Sequence, residues 1–368
     1  QYAPAIQCWE RSRDLDDTFP TAHRNLALAY YNKCGRLQDA LTEMDLAYAL
    51  DQSDARVLME LDQLRKKPHE YFEYDAAVSV LAGMIQRIMV KNRLTPAQIT
   101  GVTVSAVGIV SSETGTLVTT LISKAWPDDL PVVRDLRQQL PFPCRIYLDN
   151  ISRFGAYAHL WEKPRRYQQN IVVLYCDNSV GGAYIRNGHL VHGKRGLVGE
   201  FGHITTDYTF KSQCACGKTG CFESIVARDA IKARVCRELA NWPESSLNAC
   251  PDAPHVTIAE LFQAADNGDP FACLQVDLVA RQFSVMIYNF QIMYDPDEII
   301  ISAYCVPQIR YFTQSVKKQL CYFAGQTEMD LVLGSAGDEQ FYTLLLNSGA
   351  AAFCLDQYYS NEALADLT

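Results

Sequence analysis

The chain has 368 residues, of which 48% are hydrophobic and 20% charged, with a formal net charge of -9. That size and composition fit two or three globular domains with a substantial core. The acidic balance repels phosphate backbones and excludes nucleic-acid binding by a basic surface of this chain. No run of about 18 apolar residues occurs to span a membrane, and no charged-then-apolar leader follows Gln1.

Residues 1–67 read as helices. Asn25-Leu26-Ala27 to Tyr30, then Gly35, Ala40, Met44 and Ala47, follow a helix–turn–helix rhythm. Small residues at Ala27, Ala40 and Ala47 let paired helices approach closely. The pattern resembles the tetratricopeptide repeat, whose period is about 34 residues; a generic helical hairpin is the plainer alternative. By that resemblance the segment would offer a surface for a protein partner. The join near Lys67-Pro68 has no Gly/Ser-rich linker.

A helix is expected from about Asp75 to Asn92, with Val78, Leu81, Ile85, Ile88 and Met89 close to helical spacing. Ile99–Val110 reads as a strand leading into a turn at Gly108. Cys144–Leu148 reads as a strand and Ile151–Trp161 as a helix. Ile171–Tyr175 is a continuous apolar run of the kind buried on both faces. Gly181–Ile185 and His189–Val191 form a hairpin about Asn187-Gly188. Helices follow near 224–240, 257–264, 270–293, 307–321 and 338–358, with strands at Glu298–Ser302 and Met329–Leu333. Alternating strands and helices make the chain α/β.

The chemistry concentrates between Gly199 and Glu223. Gly199-Glu200-Phe201-Gly202-His203 is followed, ten residues on, by Cys214-Ala215-Cys216-Gly217-Lys218-Thr219-Gly220-Cys221-Phe222-Glu223. One imidazole and three thiols supply four soft or borderline ligands, the set of a closed structural zinc site. His203, Cys214, Cys216 and Cys221 are the expected ligands. The other ten of the 13 cysteines are scattered. Scattered thiols beside one tight cluster point to a reducing, cytoplasmic setting. Glu200 and Glu223 flank the ligands. They read equally as carboxylates held rigid to grip vicinal hydroxyls, or as solvated acids and outer partners of the metal.

The run from Gly199 to Glu223 resembles the signature of the ROK family (repressors, open reading frames and sugar kinases). Asn187-Gly188-His189-Leu190 resembles the family's preceding hairpin, and Ala106-Val107-Gly108-Ile109-Val110 its strand-to-turn. Glu298–Ser302 and Gly349-Ala350-Ala351 resemble its C-terminal elements. The resemblance covers about residues 72–360. It implies an actin/hexokinase-type ribonuclease-H-like fold of two lobes, here 72–155 and 156–368, with the last helix packing back on the first lobe. It implies that Glu200, His203 and Glu223 hold sugar hydroxyls, with Gly108 and Asn150 beside them. Dimers are common in the family.

Three departures bear on catalysis. No Asp-x-Gly-x-Thr loop occurs before residue 100, so the first lobe should expose an uncovered sheet edge. Leu148-Asp149-Asn150-Ile151-Ser152 puts Asn150, or Ile151, where the family has its catalytic Asp. An amide is no general base, and Asp149, the alternative base, is one residue off and faces the opposite side of a strand. The second phosphate loop, Asp177-Asn178-Ser179-Val180-Gly181-Gly182, retains Gly181 and Gly182 but brings a carboxylate to the phosphate. These departures argue against ATP and Mg2+. Asp-x-x-Val-Gly and Gly188-His189-Leu190-Val191-His192 look more like the family's sugar-responsive repressors. The leading expectation is therefore a non-catalytic, regulatory protein that binds a sugar or amino sugar and a structural zinc. The rivals are an ATP-dependent sugar kinase and a tetratricopeptide scaffold with a vestigial sugar domain.

Overall fold

A computed structural model describes residues 3–34, 37–51, 57, 60–61, 74–120, 126–250, 255–303, 310–324, 331–335 and 339–365. The join at Lys67-Pro68 lies outside the described residues. The chain divides into two compact units, Gln1–Ala76 with Ile122–Trp126, and Ala77–Leu121 with Pro127–Thr368.

In the first unit, helices Ala3–Leu15, Pro20–Cys34 and Leu37–Leu50 follow one another. The second and third pack through Leu26, Ala27, Ala40, Met44 and Ala47, all fully buried. Three alanines at one seam leave no side chain to hold the helices apart.

In the second unit, a five-stranded sheet has the order β7-β6-β5-β8-β9. Its strands are β5 (Ile171–Cys176), β6 (Val180–Arg186), β7 (His189–Leu190), β8 (Glu298–Ala303) and β9 (Leu331–Ser335). β5 pairs antiparallel with β6 and parallel with β8, so it is central. Alternate residues then face opposite layers. Val172, Leu174 and Cys176 join the larger core with helices Phe222–Val226 and Pro270–Tyr294; Ile171, Val173 and Tyr175 join a second core with helix Ile151–Glu162. This is why the run reads as uninterrupted apolar sequence.

The remaining sheets are small. β1 (Val102–Ala106) pairs parallel with β4 (Ile146–Asn150), and β2 (Ile109–Ser111) pairs antiparallel with β3 (Thr116–Thr119). Ile99–Val110 is therefore two strands, not one, broken at Gly108. Gly108 has φ +133° and its Cα lies so close to the Thr119 carbonyl that a side chain would strike it. Among the described residues β1 has β4 on one edge and no strand on the other. The hairpin turn Asn187-Gly188 has positive φ at both positions, 48° and 76°, as a two-residue primed turn requires.

The last helix, Glu339–Ala365, crosses helix Ile151–Glu162 at very close range. A Cβ on Gly349 would overlap the Phe154 carbonyl. Farther along, Asp356 accepts from the hydroxyls of Tyr157 and Tyr167, and Phe353 meets the rings of Tyr147, Phe154 and Tyr157. The helix thus packs on helix Ile151–Glu162 and on the first small sheet, where Phe353 meets Tyr147 of β4 and Cys354 lies against Gly101 at the start of β1. No described helix is long and apolar enough to cross a membrane.

Candidate functional site

The cysteine loop is shaped by glycines and short backbone bonds. Gly217 and Gly220 have φ of +87° and +73°, and a side chain on Gly220 would strike the Asp207 carbonyl. The Cys214 N–H donates to the Lys218 carbonyl at 2.7 Å, and the Gly217 N–H to the Cys214 carbonyl at 2.9 Å. Lys218 Nζ reaches the His203 carbonyl at 3.0 Å. These contacts fold the loop back onto the short 3-10 turn Phe201–His203.

Ligand atoms of His203, Cys214, Cys216 and Cys221 consequently lie within 4.8 Å of one another. Cys216 Sγ and Cys221 Sγ are 3.6 Å apart, and Cys214 Sγ lies 3.5 Å from His203 Nδ1. A tetrahedral zinc with sulfur at about 2.3 Å and nitrogen at about 2.0 Å places neighbouring donors about 3.5–3.8 Å apart. The donor set and its spacing fit such an ion, and the cluster could hold a metal. Burial pushes the Cys214 thiol up to about 12 and also raises Cys221. Cys216 is less buried, and the Lys218 N–H and its sulfur neighbours bring it below the ordinary thiol value. A cation among them favours the thiolates.

Glu223 is the second residue of the helix Phe222–Val226, which Cys221 caps. Its Oε2 accepts from the Val180 N–H at 2.8 Å, and its Oε1 is 3.8 Å from Cys214 Sγ. A carboxylate offers about four acceptor positions, so acceptor capacity remains. Glu200 precedes the 3-10 turn and is half-buried. Burial raises its pKa, His203 and Arg153 oppose the rise, and Glu223 adds to it. His203, Arg153 and Glu223 are therefore each within electrostatic reach of Glu200.

Asn150 caps the helix Ile151–Glu162, its Oδ1 accepting from the Ser152 N–H at 2.8 Å. Its Nδ2 donates to the Gly108 carbonyl at 2.8 Å. Asn150 and Gly108, far apart in sequence, are thus in contact, and Ile151 is the first helical residue. Ser152 Oγ lies 2.5 Å from where a Cβ on Gly181 would stand. Gly181 adjoins Val180, which holds Glu223. The start of helix Ile151–Glu162 and the start of β6 are thereby in contact.

Gly181 and Gly182 lie in β6, opposite Tyr175 and Leu174. Packing explains them: a Cβ on Gly182 would strike the Val173 carbonyl and the Phe201 ring. The turn itself is Asp177–Ser179, where Asp177 pairs with Arg228 Nε at 2.6 Å and accepts the Arg228 N–H at 2.9 Å. Asp149, the alternative base of the sequence reading, is buried and hydrogen-bonded through both oxygens. It is 1% exposed. Its Oδ1 accepts from Arg153 Nη1 and the Asn150 N–H, each at 2.7 Å, and its Oδ2 meets His192 Nε2 at 2.7 Å. Burial alone would raise its pKa; His192 and Arg153 outweigh this and hold it below the ordinary carboxylate value.

Arg153, His192 and Ser152 were missed by the sequence reading as members of this region. Arg153 had a legible signal, since Asp149 and Arg153 are four residues apart at a helix start. His192 had none in spacing, being 43 residues from Asp149.

The pattern of the ROK family matches residues 59–343. The chain belongs to the ROK family. It is 28% identical over 223 residues to a glucokinase of Halalkalibacterium halodurans, covering 60% of this chain and 66% of that protein. It is 24% identical over 222 residues to a xylose repressor of Caldicellulosiruptor bescii, covering 60% of this chain and 54% of that protein. The chain thus spans about half to two thirds of the length of these curated relatives. Among solved structures, a ROK family transcriptional regulator homologous to the E. coli MLC protein superposes with a TM-score of 0.59 at 20% identity, covering 77% of this chain and 71% of that chain. The actin/hexokinase-like α/β fold is thereby supported. Relatives named as kinases and as repressors both occur, so family membership alone leaves catalysis open.

Proposed function

We propose that this ROK chain is a sugar-binding regulatory protein that carries a structural zinc and does not phosphorylate its ligand. In this reading His203, Cys214, Cys216 and Cys221 hold the zinc. The metal braces the loop that presents Glu223, while Glu200 and His203 approach from the 3-10 turn. Carboxylates and an imidazole accept and donate the hydrogen bonds of a polyol, and Asn150 and Gly108 close the opposite side. The ligand is a hexose, pentose or N-acetylhexosamine. Its binding would favour a closed arrangement read by a partner.

One observation carries the non-catalytic half. The position that needs a proton acceptor holds the helix-capping Asn150 and the apolar Ile151, while the adjacent Asp149 is buried with both oxygens engaged. Phosphoryl transfer depends on positioning the nucleophile and neutralising charge on the phosphates. At the β5–β6 turn Asp177 brings a carboxylate, and its neighbouring cation, Arg228, is paired to it. The segment 1–67 is read as a tetratricopeptide-like surface for a protein partner, ahead of lobes 72–155 and 156–368 in a cytoplasmic protein that can dimerise.

The test is paired. Calorimetric titration of the zinc-loaded protein with glucose, xylose and N-acetylmannosamine should give saturable binding to at least one. A coupled assay with ATP and Mg2+ should show no sugar-dependent ADP release. Sugar-dependent ADP release by the wild type would instead establish the kinase.

A further inference from the structure

The segment His192–Gly199 joins β7 to the turn that carries Glu200, and it forms no helix or strand of its own. Gly193, Gly196 and Gly199 all have positive φ, 69°, 67° and 101°. Such a loop has many conformations available, yet it must deliver Glu200 to a fixed point. Its carbonyls are held from outside the loop. Arg153, 1% exposed, donates through Nη2 to the carbonyls of Gly196 and Val198, the latter at 3.1 Å, and through Nε to Val198 at 3.3 Å. Its Nη1 is bound by Asp149 at 2.7 Å, and the other oxygen of Asp149 holds His192, the first residue of the loop, at 2.7 Å. A buried guanidinium needs this counter-charge. The same guanidinium lies close enough to Glu200 to draw its pKa down.

We propose that Asp149, Arg153 and His192 form a buried anchor that fixes both ends of the His192–Gly199 loop and thereby positions Glu200 for its ligand. The carboxylate next to the degenerate base position is used for positioning, not for proton transfer. This deepens the sugar-binding reading and rests on it for the role of Glu200.

The loop tip supplies its own reporter. Lys194 and Arg195 are exposed, whereas Gly196 is buried against β2. Trypsin should cut after Lys194 or Arg195 at a rate set by how often the anchor opens. His192→Ala and Asp149→Asn should raise that rate roughly 10- to 100-fold, the effect of losing a hydrogen bond to a charged group. His192→Gln, whose amide can again donate to Asp149, should return it near the wild-type rate. Affinity for the tightest of glucose, xylose and N-acetylmannosamine should fall about tenfold or more in His192→Ala with zinc content unchanged. The His192 side chain is 32% exposed, so its truncation leaves a folded chain even where Asp149→Asn does not. Unchanged cleavage in His192→Ala overturns the anchor, as does acceleration at sites throughout the chain without preference for the loop. Faster cleavage with unchanged sugar affinity overturns the link to Glu200. Should the wild type bind none of these sugars, the sugar reading falls, and the cleavage rates alone decide the anchor.

Discussion

Removing the metal, or one of its ligands, should weaken the whole second unit. Cys216 is an exposed member of the cluster while Cys214 and Cys221 are buried, so Cys216→Ala removes a donor with little loss of packing. Free-standing zinc modules gain on the order of 10 kcal/mol from their ion. Here the loop adjoins a hydrophobic core through Phe222 and Ile225, which persists without metal, so the relevant quantity is linkage. At free zinc about 1,000-fold above Kd, binding adds about 4 kcal/mol. For a unit of about 290 residues each kcal/mol shifts Tm by about 1.5–2 °C, giving a fall of about 6–8 °C. Elemental analysis should find about one zinc per wild-type chain and markedly less in Cys216→Ala. Differential scanning calorimetry of both, with Cys236→Ala as a control outside the cluster, supplies the second measure. Equal zinc and equal Tm in the wild type and Cys216→Ala, or a wild type without zinc, would refute the reasoning.

Glu200→Gln should reduce sugar affinity about tenfold or more while leaving Tm unchanged or raised, since it removes a carboxylate that burial disfavours; calorimetric titration and a thermal scan check both. The sign for pH follows from the raised pKa of Glu200. The folded state holds the proton more tightly than the unfolded chain, so the stability this group contributes falls as pH rises from its ordinary 4.5 towards the raised value. Sugar affinity should climb through the same window as the accepting carboxylate forms. Arg166 and Glu298 form a buried bidentate pair at 2.7 and 2.8 Å. Arg166→Met should cost about 3–5 kcal/mol by stranding Glu298, and Arg166→Met with Glu298→Gln should recover part of it in urea titrations. Gly349→Ala should cost about 1–3 kcal/mol or more by prising the last helix off the Phe154 carbonyl, read from the same titrations.

The parts of this fold that were legible are those where one physical demand dominates a stretch of sequence. β5 and the Ile299–Ile301 stretch of β8 are buried on both faces, so those runs are apolar. The cluster declares itself because four soft ligands and two turning glycines fall within a short span. Hairpin β2–β3 and helix Val132–Gln139 were not foreseen. The hairpin is rich in Ser, Thr and Gly, and the helix spans 8 residues after Pro131. The break at Ala227 had no signature, since alanine favours helix. It occurs because the Arg228 N–H turns to the Asp177 carbonyl, a contact across 51 positions of sequence. The same holds for Asp149. Its place next to a motif invites a chemical role, but its environment is set by His192 and by a loop whose path is written in no local pattern.

The central claim is best tested by a crystal structure of the zinc-loaded protein with the tightest-binding sugar. The account predicts hydroxyls within about 3 Å of the carboxylates of both Glu200 and Glu223, with no carboxylate other than these facing the hydroxyl next to Asn150. A sugar bound elsewhere, or Asp149 swung free of Arg153 to contact that hydroxyl, would contradict it.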